Sequence, residues 1–104
     1  MSTDPLPQVD PADVEGRLAD GWQLLDVRTD AEWAEARVEG ATHIPMDQVV
    51  ARLDEVGDRV VCMCAAGGRS ARVTQYLLAN GREAVNLDGG IHAWAAEGRP
   101  LVTG

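Results

Sequence analysis

Short apolar runs alternate along the chain with segments whose apolar positions recur at helical spacing. The clearest run, residues 60–64, is apolar at every position, which is typical of a central parallel strand covered on both faces. Residues 22–27 and 84–87 have a similar character, and residues 41–44 form a brief extended piece that ends at Pro45. This alternation predicts an α/β fold with a mostly parallel sheet and helices on both faces.

The predicted helices follow capping residues. Asp10, with Pro11 at the first helical position, starts a helix that Gly21 ends, and Asp30 caps a short second helix. Asp47 is predicted to cap a third, Ser70 opens a fourth, and the turn Asp88-Gly89-Gly90 leads into the last. The residues predicted to face the core in these last three helices are Val49, Val50 and Leu53, then Val73, Tyr76 and Leu77, and finally Ile91, Trp94 and Ala95.

The length of 104 residues allows one hydrophobic core, which would bury roughly two thirds of the unfolded surface. We therefore expect residues 1–8 to form an N-terminal tail and residues 9–104 to form a single domain. No run approaches the roughly 18 apolar residues of a membrane span, and the first ten residues lack the pattern of a signal peptide. These features predict a cytoplasmic protein without a membrane partner.

The net charge of −8 and the absence of lysine argue against nucleic acid as a partner, because nucleic acids are bound through clustered Lys and Arg. The charge is uneven along the chain. Residues 1–58 carry 14 acidic residues and four arginines, whereas residues 59–104 carry three acidic residues and five arginines. A small anion would meet a favourable field in the second part, although chance patterning of a solvated surface explains the difference equally well.

The two cysteines, Cys62 and Cys64, are separated by one residue, which fits neither a disulfide framework nor the C-x2-C spacing of zinc sites. In a strand their Cα atoms would lie roughly 6.6 Å apart, near the upper limit for a disulfide. We expect two reduced thiols and no metal site. Cys62, inside the strand, is interpreted as a core residue.

Cys64 lies at the carboxyl end of the predicted central strand, where a parallel α/β sheet binds its ligands, and it begins a glycine-containing loop. The N–H groups of such a loop, the N-terminus of the following helix and Arg69 all favour an anion at the sulfur. These surroundings lower the pKa of a cysteine from about 8.5 to between roughly 3.5 and 7.5. Cys64 is therefore predicted to be a nucleophile.

The segment Cys64-Ala65-Ala66-Gly67-Gly68-Arg69-Ser70 resembles the active-site loop C-x-x-G-x-R-S of rhodanese-like domains. Three further segments are similar to motifs of that family and follow its order: Leu25-Asp26-Val27-Arg28 with Glu32-Trp33, residues 40–45 (GATHIP) and residues 87–94 (LDGGIHAW). One departure is Ala-Arg-Val at residues 36–38, where the family often has Gly-His-Ile. The resemblance, over about residues 9–102, implies one rhodanese-like domain with a central, mostly parallel five-stranded sheet.

This resemblance also implies a sulfurtransferase. The Cys64 thiolate would take the outer sulfur of thiosulfate or another persulfide donor and hold it as a persulfide, and cyanide, a thiol or a protein thiol would then remove it. Residues 65 to 70 would form the substrate-binding loop, in which the N–H groups of residues 65 to 69 hold the anionic terminal sulfur and Arg69 is the cation. No cofactor or metal is required.

Other residues of these segments are interpreted as structural. Asp26 and Arg28 are expected to support the site by holding neighbouring loops through ion pairing or hydrogen bonds. Neither histidine has metal-ligand spacing, and two of the tryptophans are interpreted as core or rim packing. These four residues are His43, His92, Trp33 and Trp94.

Three alternative functions are considered. Related folds with C-x5-R-[ST] loops bind tetrahedral oxyanions as phosphatases or arsenate reductases, but only four residues separate Cys64 from Arg69, so the loop is too small for phosphate. Some rhodanese-like domains are noncatalytic or regulatory docking modules, which the presence of Cys64 disfavours. A persulfide relay to a protein partner would use the same loop, and the sequence does not separate it from turnover of small molecules.

Overall fold

The computed structural model describes residues 6–103, which form an α/β domain. Within these residues the α-helices are Pro11–Ala19 (α1), Asp30–Glu35 (α2), Gly68–Ala79 (α3) and Gly90–Ala96 (α4). The strands of the same part are Gln8–Val9 (β1), Gln23–Asp26 (β2), Ala36–Arg37 (β3), Thr42–His43 (β4), Arg59–Met63 (β5), Glu83–Leu87 (β6) and Val102–Thr103 (β7). No helix between residues 6 and 103 has the length and apolar character to cross a membrane.

The main sheet has the strand order β1-β6-β5-β2-β4, and all neighbouring strands in it are parallel. Strand β5 is central, with Cys62 level with Leu25 of β2 on one side and with Asn86 of β6 on the other. This confirms the position predicted from the unbroken apolar run at residues 60–64. Strands β3 and β7 form a separate antiparallel pair.

Each face of the sheet has its own core, because successive side chains of a strand point to opposite faces. Val60 and Cys62 of β5 belong to the core that packs against α3 and residues 49–56. Val61 and Met63 belong to the core that packs against α1 and α4. Helices therefore cover both faces of the sheet, as the sequence predicts.

The helix predicted from Asp47 is wrong. Two short 3-10 turns, Met46–Gln48 and Leu53–Glu55, occupy this stretch. Val49 is buried as expected, but Val50 is 67% exposed. The tighter repeat of a 3-10 turn brings only Val49 of the two valines toward the sheet.

Helix α2 is capped by Thr29 and not by Asp30. Thr29 Oγ1 accepts the N–H of Glu32 at 3.2 Å, and the Glu32 carboxylate accepts the N–H of Thr29 at 3.1 Å. This reciprocal capping box satisfies two N–H groups at the helix end. It also fixes the side chain of Glu32, which becomes important at the site described below.

Two details of the later helices also differ from prediction. Helix α3 begins at Gly68, two residues before the predicted start at Ser70. Ala95 is exposed rather than inward, because the seven-residue α4 meets the core along Ile91 and Trp94, which are three residues apart on one face.

The N-terminal segment joins the sheet earlier than the sequence indicates. Residues 1–5 of the predicted tail, like residue 104, lie outside the described residues. Gln8 already belongs to β1 and is level with Asn86 of β6, and the carbonyl of Pro7 accepts the N–H of Asn86 at 2.9 Å.

Candidate active site

Two loops meet at the carboxyl edge of the sheet, where parallel α/β sheets bind ligands. Residues 64–67 connect β5 to α3, and residues 88–89 connect β6 to α4. Because β5 and β6 are neighbours, these two loops lie side by side. Cys64 is only 1% exposed, so the surrounding residues cover most of its surface.

Hydrogen-bond donors surround the sulfur of Cys64. The N–H of Gly67 donates to Sγ at 3.1 Å, and Ser70 Oγ lies 3.3 Å from Sγ. Gly67 has a φ of +107°, a left-handed conformation that glycine adopts readily and that lets the loop curl around the sulfur. Burial raises the pKa of the Cys64 thiol, but the Ser70 hydroxyl and the N–H groups of Ser70, Gly67 and Ala66 together outweigh it, so the pKa lies below its ordinary value.

Helix α4 holds the Cys64 loop from the other side. The N–H of Ile91 donates to the Cys64 carbonyl at 2.8 Å, and the N–H of His92 donates to the Ala65 carbonyl at 3.0 Å. Gly90 has a φ of +58°, and a Cβ there would overlap the Cys64 carbonyl and lie 2.6 Å from the Ala65 carbonyl oxygen. The close approach explains the second glycine of Asp88-Gly89-Gly90, which the sequence suggests only as a turn residue.

Arg69 is one half of an ion pair. Its Nη1 and Nη2 atoms donate to the two carboxylate oxygens of Glu32 at 2.6 and 2.9 Å. The hydrogen bonds from Arg69, opposed by burial and assisted by Thr29, lower the pKa of Glu32 to about 2. Both side chains are about one third exposed. Arg69 lines a cleft of about 250 Å³ together with Met46 and Asp47.

Asp26 and Arg28 form a buried pair at the end of β2. Arg28 Nη2 donates to the Asp26 carboxylate at 2.7 Å, and Nε donates to the same carboxylate at 3.0 Å. Arg28 also donates to the carbonyls of Glu32 and Ala36 at 3.3 and 2.7 Å. The pair thus holds α2, and with it Glu32, against the end of the sheet.

Asn86 is a polar residue of the site that the sequence analysis overlooked. Its Oδ1 accepts the Ser70 hydroxyl at 2.6 Å, and its Nδ2 donates to the Gly67 carbonyl at 3.1 Å. It therefore contacts the two residues that bond to the Cys64 sulfur. The sequence pattern that could have identified it is a single polar residue inside the otherwise apolar stretch 84–87. In the structure Asn86 is only 3% exposed, and a buried polar group of this kind needs hydrogen-bond partners.

The sequence profile of the rhodanese-like domain matches residues 10–97. The chain belongs to the rhodanese-like domain family. A sulfurtransferase of Allochromatium vinosum is 40% identical over 100 residues, which cover 91% of this chain and 94% of that protein. Chloroplastic thiosulfate sulfurtransferase 16 of Arabidopsis thaliana is 31% identical, covering 80% of this chain and 82% of that protein. These relatives support a sulfurtransferase type of function.

Solved structures of rhodanese-like proteins agree with the fold. The crystal structure of a rhodanese-related protein from Thermoplasma volcanium matches with a TM-score of 0.85 and 26% identity. The match covers 92% of this chain and 97% of that chain. The α/β class and the parallel five-stranded sheet expected from the resemblance are therefore confirmed.

The second cysteine of this rhodanese-like domain lies in the core. Cys62 is fully buried, and burial, partly offset by a hydrogen bond from Thr74, raises the pKa of its thiol to about 11. Both cysteines are free thiols. Two cysteines one residue apart thus have opposite pKa shifts, because only Cys64 is met by the N–H groups of the loop.

The remaining predicted residues of this rhodanese-like domain occupy different places around the loop. Ala65 and Gly67 are half-buried, whereas Ala66, Gly68 and His92 are exposed. Two aromatic contacts lie outside the loop. His43 stacks on Trp33 with ring centroids 4.7 Å apart, and buried Trp94 donates through Nε1 to the carbonyl of Pro100 at 2.9 Å.

Proposed function

We propose that this domain transfers a sulfane sulfur from an anionic donor such as thiosulfate to a thiophilic acceptor through a persulfide on Cys64. The Cys64 thiolate attacks the outer sulfur of the donor, a new S–S bond forms, and the S–S bond of thiosulfate breaks. Sulfite leaves with the electron pair of the broken bond. Cyanide, a thiol or a protein thiol then attacks the outer sulfur, and the Cys64 thiolate is regenerated.

The observation that carries this proposal is the pair of donors at Cys64 Sγ, the Gly67 N–H at 3.1 Å and the Ser70 hydroxyl at 3.3 Å. Both stabilise a thiolate, which is the nucleophilic form in the first step and the leaving group in the second. The N–H groups of residues 65 to 69 are assigned to the terminal sulfur of the persulfide, in the manner of an oxyanion hole.

Arg69 is assigned to the anionic donor. A guanidinium carries five N–H groups, and the two hydrogen bonds to Glu32 leave others for a second anion. The name of the Arabidopsis relative, a thiosulfate sulfurtransferase, supports thiosulfate as a donor to test first. Because Arg69 is paired with Glu32, it contributes less net positive charge to the site than a free arginine would.

Intact mass spectrometry tests the proposal directly. After exposure to thiosulfate, the protein should gain the mass of one sulfur atom and lose it again on addition of an acceptor thiol. Cys64→Ser should abolish this gain, whereas Cys62→Ala should retain it while circular dichroism shows an unchanged fold.

Two results would overturn the assignment. Failure of folded wild-type protein to accept sulfur from thiosulfate or from a small-molecule persulfide would favour a noncatalytic docking module. Efficient hydrolysis of aryl phosphates would instead place the domain among oxyanion ester hydrolases, against the short spacing between Cys64 and Arg69.

A further inference from the structure

The hydroxyl of Ser70 has two hydrogen-bond acceptors within reach and a single proton. Its Oγ lies 2.6 Å from Asn86 Oδ1 and 3.3 Å from Cys64 Sγ. Ser70 has no exposed surface, so exchange with bulk water does not relieve the competition. Both distances are ordinary for their atoms, because sulfur is larger than oxygen. An uncharged thiol sulfur is only a weak acceptor, so the Ser70 hydroxyl donates to the amide oxygen of Asn86 when the sulfur is uncharged.

The orientation of the Asn86 amide removes the ambiguity that such groups usually carry. Its Nδ2 faces the Gly67 carbonyl at 3.1 Å and Gln8 Oε1 at 3.4 Å. A carbonyl oxygen only accepts, so the opposite orientation would bring two acceptors together at Gly67. Asn86 Oδ1 therefore faces Ser70 and is an acceptor for its hydroxyl.

We propose that Asn86 is a positioning residue for the Ser70 hydroxyl. While Cys64 Sγ is uncharged, the hydroxyl donates to Asn86 Oδ1, and when the sulfur becomes a thiolate the hydroxyl donates to Sγ instead. In the thiol form, Cys64 donates its own S–H to the free lone pair of Ser70. In the thiolate form, the Ser70 hydroxyl rotates toward Sγ. The proton stays bonded to Ser70 Oγ throughout and changes only its acceptor.

This exchange fits both steps of the proposed sulfur transfer, on which its functional meaning rests. With a persulfide on Cys64, Sγ carries no charge, and the Ser70 hydroxyl donates to Asn86 Oδ1. When the acceptor attacks the outer sulfur, the S–S bond breaks and Sγ takes the electron pair. A donor then becomes available at the atom that develops charge, which speeds the departure of the thiolate.

A double-mutant cycle on the ionisation of Cys64 tests the inference. The rate of alkylation by iodoacetamide is measured against pH in a Cys62→Ala background, where Cys64 is the only thiol. Ser70→Ala should raise the alkylation midpoint by about one pH unit, because the thiolate loses a hydrogen-bond donor. Asn86→Ala should lower the midpoint by several tenths of a unit or more, because Ser70 then donates to the thiolate without competition.

The decisive measurement is Asn86→Ala combined with Ser70→Ala. The midpoint of this double variant should equal that of Ser70→Ala alone, because Asn86 acts through the Ser70 proton. Gln8→Ala, which removes another partner of Asn86 Nδ2, should leave the midpoint unchanged and serves as the control. A purely structural role would produce the same shift with and without Ser70.

The inference would be overturned if Asn86→Ala shifted the alkylation midpoint equally with and without Ser70. It would also be overturned if Asn86→Ala raised the midpoint or left it unchanged. Alkylation requires no sulfur transfer, so its outcome is independent of the proposed function. A thiol that titrates as described but never accepts sulfur would remove the proposed function and leave the proton exchange in place.

Discussion

Glu32 holds Arg69 through two hydrogen bonds of 2.6 and 2.9 Å at the edge of the loop that carries Cys64. The carboxylate is itself fixed by the Thr29 capping box and by the buried Arg28, which bonds to the carbonyl of Glu32. An anionic donor that approaches Arg69 therefore also meets a carboxylate. This arrangement has consequences for both donor preference and acid stability.

Glu32→Gln should raise kcat/KM for thiosulfate about three- to tenfold. The substitution removes a negative charge beside the donor and frees Arg69, while glutamine still completes a capping box. Steady-state sulfur transfer to cyanide measures the effect. Glu55→Gln is a matched control, because it removes the same charge from an exposed pair with Arg52. An unchanged or lower kcat/KM in folded Glu32→Gln protein would show that the Glu32 carboxylate does not compete with the donor for Arg69.

The same ion pair should add stability above pH 4.5 and lose it as the pH falls toward 2. The pKa of Glu32 falls from 4.5 to about 2 on folding, so the folded state releases the proton more readily than the unfolded chain does. Because both side chains are about one third exposed, solvent screening limits the contribution to about 1 kcal/mol. The unfolding free energies of wild type and Glu32→Gln, measured in urea, should differ at pH 6, and the difference should shrink below pH 4.5 and vanish only below about pH 2. A constant difference across this range would contradict the expectation.

Gly90→Ala should reduce sulfur transfer about tenfold to a hundredfold by displacing the carbonyls of Cys64 and Ala65. Gly81→Ala is the matched control, since Gly81 also has a positive φ, of +81°, but a Cβ there meets nothing within 4 Å. Both variants should lose about 1 kcal/mol of unfolding free energy through backbone strain, and Gly90→Ala should lose more, because its Cβ also overlaps the backbone of Cys64 and Ala65. Only Gly90→Ala should lose activity, measured as sulfur transfer to cyanide at a temperature where both are folded. Equal activity losses in the two variants would show that the close contact between α4 and the Cys64 loop is not needed for catalysis.

Features written in consecutive residues could be predicted from the sequence. The unbroken apolar run at residues 60–64 sufficed to place β5 in the centre of the sheet, and the glycines after Cys64 were sufficient to predict a loop around its sulfur. The predicted helix after Asp47 was wrong because apolar spacing alone does not distinguish a short α-helix from successive 3-10 turns.

Contacts between distant segments could not be predicted in this way. Glu32 and Arg69 are 37 positions apart, and Ser70 and Asn86 are 16 apart. Because β5 and β6 are neighbouring strands, Asn86 and Gly90 lie close to the Cys64 loop. The order of the strands in the sheet cannot be predicted from a single segment. The pairing of Arg69 with Glu32 of α2 is therefore visible only in the structure.

Because Cys64 is only 1% exposed, the residues around it limit the shape of the molecules that can reach its sulfur. A donor or acceptor has to present its sulfur or carbon on a narrow projecting group, because a broad molecular surface cannot reach a sulfur enclosed by its own loop. In the proposed mechanism the transferred sulfur lies one bond beyond Sγ, among the N–H groups of residues 65 to 69, so donor and acceptor have to enter the same loop.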